Sequence, residues 1–148
     1  MKQKKHFALL GLILAAGCGL SASAEDRRLA SGEWMLSDGV QVTGTVSPVN
    51  NRVFCIKNNE TRVRDEFFAG LAKPNNECSA VVVSSSRSRV ELDLSCPNQN
   101  GEMTGHSTVN ISDASFSIES SLALDLGGVP FPIKRSMTAR RTNSVCRN

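Results

Sequence analysis

His106 is the single histidine outside the first ten residues, so any Ser-His-Asp or Cys-His chemistry would have to run through it. It stands in Gly105-His106-Ser107-Thr108, a polar stretch with no nucleophile-elbow pattern, and reads as a surface histidine. Glu91 and Asp93 lie two apart on one strand face. A glycosidase or a metal site could use that spacing, but any solvated strand shows it too. Gly127-Gly128-Val129-Pro130 is turn chemistry and not a phosphate loop. Asn59-Glu60-Thr61 and Asn110-Ile111-Ser112 match glycosylation sequons and read as chance matches. No residue is assigned a catalytic role, and no cofactor or metal is indicated.

The cysteines carry the clearest covalent chemistry. Cys55, Cys78, Cys96 and Cys146 are separated by 22, 17 and 49 intervening residues, which does not resemble the close pairs of zinc sites. An even set in an exported chain reads as two disulfides. Cys78 and Cys96 bracket two β-rich arms around a polar Ser-Ser-Arg-Ser tip, so they should face each other on a hairpin. Elimination then pairs Cys55 with Cys146. Loop-closure entropy gives about 3 kcal/mol for the shorter loop and about 4–5 kcal/mol for the longer.

The fifth cysteine, Cys18, belongs to the leader. Residues 1–6 are basic and Phe7 to Ala16 form an apolar run shorter than the about 20 residues a span needs, which marks a signal peptide. Two processing routes are open. Leu14-Ala15-Ala16-Gly17-Cys18 fits acylation at Cys18 and removal of residues 1–17, the preferred route, whereas Ala22-Ser23-Ala24 fits a cut after residue 24. Residues 25–31 then read as a linker and 32–148 as one β-rich domain. Losing residues 1–24 takes three lysines and no acid, leaving 14 basic and 14 acidic residues. Overall charge therefore gives no support for nucleic-acid binding.

Period-two patterning must position whatever site exists. Val90, Leu92, Leu94 and Cys96 share one face opposite Arg89, Glu91, Asp93 and Ser95. Phe116, Ile118, Leu122, Leu124 and Leu126 repeat the pattern, broken by Ser120. Residues 32–46 read as one long bent strand or a hairpin around Ser37-Asp38-Gly39, and Met103 to Ile111 as a more polar strand. A short helix capped by Asn58 or Asn59 carries Phe67, Phe68 and Leu71 on its apolar side and ends at Lys73-Pro74. The last strand, with Ile133, Arg135, Met137, Ala139 and Arg141 on one face, is only half apolar and reads as an edge. The fold class is mainly β: an antiparallel meander of six or seven strands, curled or barrel-like, with one short helix and two disulfides. Its apolar face must be covered by curling, the preferred solution, or by the helix.

Gly32-Glu33-Trp34, Val53-Phe54-Cys55, the Cys78 to Cys96 hairpin, Gly101-Glu102-Met103-Thr104-Gly105 and Ala139-Arg140-Arg141 leading to Cys146 occur in that order. Together they resemble the bacterial envelope family catalogued as domain of unknown function 3617, over roughly residues 31–147. The resemblance implies an exported bacterial β-domain and transfers no functional residue.

Two functions remain in play on the periplasmic side of a bacterial envelope, the domain held there by acylated Cys18 or free in the periplasm. In the first, a non-catalytic binding module encloses a lipid or other apolar molecule with Phe116, Ile118, Leu122 and Leu124, while Lys134, Arg135, Arg140 and Arg141 meet an anionic head. In the second, a structural or interaction protein pairs its basic last strand with another chain or an anionic polymer. Neither involves nucleic acid, and membrane contact runs only through the lipid anchor.

Overall fold

A computed structural model describes residues 27–98 and 101–146; the leader with Cys18, and residues 25–26 of the linker, lie outside the described residues. In chain order the elements are β1 (Arg27–Arg28), β2 (Gly32–Val42), β3 (Thr45–Val46), β4 (Asn50–Ile56), β5 (Arg62–Val63) and α1 (Asp65–Ala72). They continue with β6 (Ser79–Ser85), β7 (Arg89–Asn98), β8 (Gly101–Ser112), β9 (Ser115–Leu126) and β10 (Val129–Asn143). β6 to β10 form the expected antiparallel meander, and β2 then pairs with β10, so the two ends of the domain meet in one eight-stranded sheet. β3 and β4 share the far side of β2.

The turns follow local residue chemistry. Gly127 and Gly128 both take positive φ, 67° and 87°, as a two-residue hairpin turn requires, and the Gly128 amide donates to Asp125 Oδ1 at 2.6 Å. β2 runs unbroken through Ser37-Asp38-Gly39 and turns instead at Thr43-Gly44, also at positive φ.

Inward side chains follow from register. Leu36, Ala139, Phe116 and Ile111 form one cross-strand row, and Met137, Ile118, Val109 and Val90 the next. Both rows belong to a single core cluster that also takes in Phe68 and Ala72 of α1. A flat sheet seven strands across would be about 29 Å wide, while an eight-residue helix is about 12 Å long. Curling and helix docking therefore act together. The sheet stays open, because β6 pairs with β7 alone among the described strands.

Gly105 sits on β8 opposite Leu122 of β9. A Cβ there would run into the Ser121 carbonyl and the Leu122 backbone, so Gly105→Ala should lower stability by about 1–3 kcal/mol through overpacking. A thermal melt unchanged from wild type would refute that. Ser120, the break in the apolar pattern, also acquires a reason: its hydroxyl accepts from buried Ser107 at 2.7 Å across the β8–β9 pair, and two hydroxyls satisfy each other in an otherwise apolar face.

Three expectations are corrected. β10 is not an edge; it lies between β2 and β9, because its inward Arg135 and Arg141 find partners within the fold. The described part of the linker, residues 27–31, is integral to the domain: β1 pairs with β5, and Arg27 and Leu29 are both buried. The helix starts at Asp65, with Arg64 and not an asparagine at its N-cap, because Arg62 and Val63 are held extended against Arg28 and Arg27.

Candidate functional site

Phe54 on β4, Val63 on β5 and Phe67 on α1 come together where the sheet's first edge faces the start of the helix. With Cys55, Ile56, Glu60, Arg62, Arg64 and Glu66 they line a cleft of about 500 Å³, a size and an apolar lining suited to a small ligand. The floor is backed by aromatic rings. Phe54 stacks on Trp34 at 6.1 Å between centroids, and Phe67 meets Phe116 edge-on at 6.0 Å. Carboxylates (Glu60, Glu66) and guanidinium groups (Arg62, Arg64) line it as well, so charges of both signs are present.

Phe116, Ile118 and Leu122, candidates either to line an internal pocket or to fill the core, are buried members of the core cluster. Phe116 touches Trp34, Phe67 and Phe68 within 6.0 Å of centroid separation, which leaves it behind the cleft and not in it. Leu124 is half-buried further along the same strand, opposite Phe131. Sequence reasoning missed the cleft although its residues all fall between positions 54 and 67. The Arg62-Val63 dipeptide, an extended break between turn and helix, was the available signal.

The four cations are split between the two sheet faces. Arg135 grips Asp38 with two bonds of 2.9 and 2.7 Å, while its Nη1 donates to the carbonyls of Leu71, Ala72 and Lys73 at 3.2–3.3 Å. It thereby caps the helix C-terminus, where orphan carbonyls and the helix dipole favour a cation. Arg141 Nε donates to the Ser31 carbonyl at 2.7 Å. Only Lys134 and Arg140 point from the outer face, and both are exposed.

His106 lies on the outer face with its Nδ1 3.0 Å from Asp93 Oδ1, and Ser121 is its register partner on the other side. That row has the residue order of a hydrolytic triad. The histidine and aspartate side chains are, however, 47% and 66% exposed, and none of the three residues lines the cleft between β4 and α1. Water competes for the bonds there. Glu91 is held separately by Arg89 and Ser84.

Cys55 and Cys146 are disulfide-bonded with Cα atoms 5.7 Å apart, as are Cys78 and Cys96 at 4.1 Å. The first bond ties the end of the chain to the cleft-bearing strand β4. The second closes the β6–β7 hairpin on the inner face. A family described as protein of unknown function, DUF3617, matches residues 29–146. The chain belongs to the DUF3617 family. The DUF3617 match opens on Leu29, the first buried apolar residue described, and closes on Cys146 of the longer disulfide, so it takes in the described domain apart from β1. Comparison with curated proteins and with solved structures returns no match.

Proposed function

We propose that this DUF3617 domain is an exported, non-catalytic binding module of the bacterial envelope that takes an acyl chain or similar apolar body in the cleft between β4 and α1. The observation that carries this reading is the apolar floor of Phe54, Ile56, Val63 and Phe67 at an opening of about 500 Å³. The leader sequence supports export, and acylation at Cys18 would keep the module beside a membrane that supplies such ligands. The proposed interaction role for the basic last strand is weakened, since both edges of β10 are already paired.

Trp34 supplies the readout. It is the only tryptophan, fully buried, and stacked on the Phe54 ring that lines the cleft. Brominated fatty acid or brominated phospholipid should quench its emission, while the unbrominated lipid should not. Native mass spectrometry of protein taken from its own envelope should show a lipid adduct. Absence of both the quenching and the adduct would overturn the proposal.

A further inference from the structure

Residues 79–85 read Ser-Ala-Val-Val-Val-Ser-Ser and carry no charge. They form β6, an end of the main sheet, paired with β7 on one side only. Val81, Val82 and Val83 are 62%, 40% and 56% exposed. No backbone hydrogen bond to another element engages its outer side among the described residues. Sheets ordinarily guard such an edge with lysine, proline or a covering segment, since an open row of amides and carbonyls is a template for another strand. The opposite edge is guarded: β4 carries Arg52 and two asparagines, and its Cys55 is tied to the C-terminal segment. β6 has only a bulge between Val82 and Ser84, which leaves Val83 without a counterpart on β7.

We infer that β6 is a self-association edge, at which two copies of this protein pair antiparallel about a two-fold axis through Val82 and join their sheets. A two-fold pairing sets each residue against the one equally far on the other side of the axis. Val82 meets its own copy, Val81 meets Val83, Ala80 meets Ser84, and Ser79 meets Ser85. The segment is nearly symmetric about Val82, so apolar residues face apolar ones at the centre, small polar ones face each other at the ends, and no like charges oppose. That symmetry favours a second copy over a charged extended peptide, for which the edge offers no complementary charge. Arg27 fixes the limit of the free edge by donating to the Ser86 carbonyl and the Ser85 hydroxyl. Strand addition over so short a ladder falls at the small end of specific interfaces, below about 1,200 Å², so it gives a concentration-dependent equilibrium.

The test is sedimentation velocity on the processed protein with both disulfides formed, from micromolar to millimolar concentration. The average mass should climb toward that of a dimer, and hydrogen exchange at residues 79–85 should slow in step with it. The Val81→Lys/Val83→Lys double variant, altered at side chains more than half exposed, should keep its melting temperature and stay monomeric throughout. Met35→Lys, on exposed surface of β2 away from this edge, should dimerise like wild type. A wild-type protein monomeric at every concentration overturns the proposal, as does a dimer that survives the double lysine variant or leaves β6 exchange unchanged.

Discussion

Asp65→Ala should destabilise the domain by about 3–5 kcal/mol, because it leaves the Arg27 guanidinium buried without its counter-charge. Arg27 is 1% exposed. Its Nη1 donates to Asp65 Oδ1, its other nitrogens reach the Ser86 carbonyl and the Ser85 hydroxyl, and that hydroxyl in turn donates to Asp65 Oδ2 at 2.8 Å. Four elements or turns are knotted at one point: β1, the start of α1, the end of β6 and the β6–β7 tip. Asp65 also sits in the first helical turn, where a carboxylate gains about 0.3–1 kcal/mol from the helix dipole. Glu66→Ala isolates that smaller effect, since Glu66 is an exposed acid of the same turn. Replacing both partners, Arg27→Met with Asp65→Leu, should restore most of the loss, because neither charge is then desolvated. Urea midpoints with an unchanged slope measure all three. A loss for Asp65→Ala no larger than for Glu66→Ala would show that the buried pair contributes nothing.

That knot also marks where sequence reading stops. The Cys78 to Cys96 hairpin, the Gly127-Gly128 turn and the inner face of β7 and β9 were legible because a period of two, glycine turns and cysteine spacing are local signals. Arg27 looked like part of a polar linker because its partners lie 38 to 59 positions away. β10 looked like an edge because two of its inward positions are arginines. Arg135, however, finds Asp38 from 97 residues away and the helix carbonyls from 62 to 64 away. A charged residue on an inward face reads as exposure unless its partner can be seen. The bare edge, β6, was legible only as one arm of a hairpin, since the three consecutive valines give no sign of whether a further strand lies beyond them. The cleft was hidden by the helix start: a helix begun at Asn58 or Asn59 would have swallowed Arg62 and Val63 and left no gap between β4 and α1.

Trp34→Ala should cost about 3–5 kcal/mol, the usual range for emptying a large aromatic from a core, and should damage the cleft as well as the fold. Trp34 has no exposed surface. It holds the junction of β4, β2 and β9 by stacking between Phe54 and Phe116, and its indole Nε1 donates to the Ala30 carbonyl at 3.0 Å. That bond tethers the approach to β2, where the chain leaves β1, so truncation both opens a cavity and orphans a carbonyl. Trp34→Phe separates the two contributions. It keeps a ring between Phe54 and Phe116 and loses only the bond and part of the volume, so its cost should fall well below that of alanine. Ligand binding should follow the same order, because Phe54 lines the cleft only while something braces its other face. With the emission readout gone in both variants, lipid adducts in native mass spectra measure that loss. Trp34→Phe binding like wild type while Trp34→Ala, still folded, binds nothing is the expected pattern. Equal binding by both would mean that the ring behind Phe54 supports the fold and leaves the site indifferent.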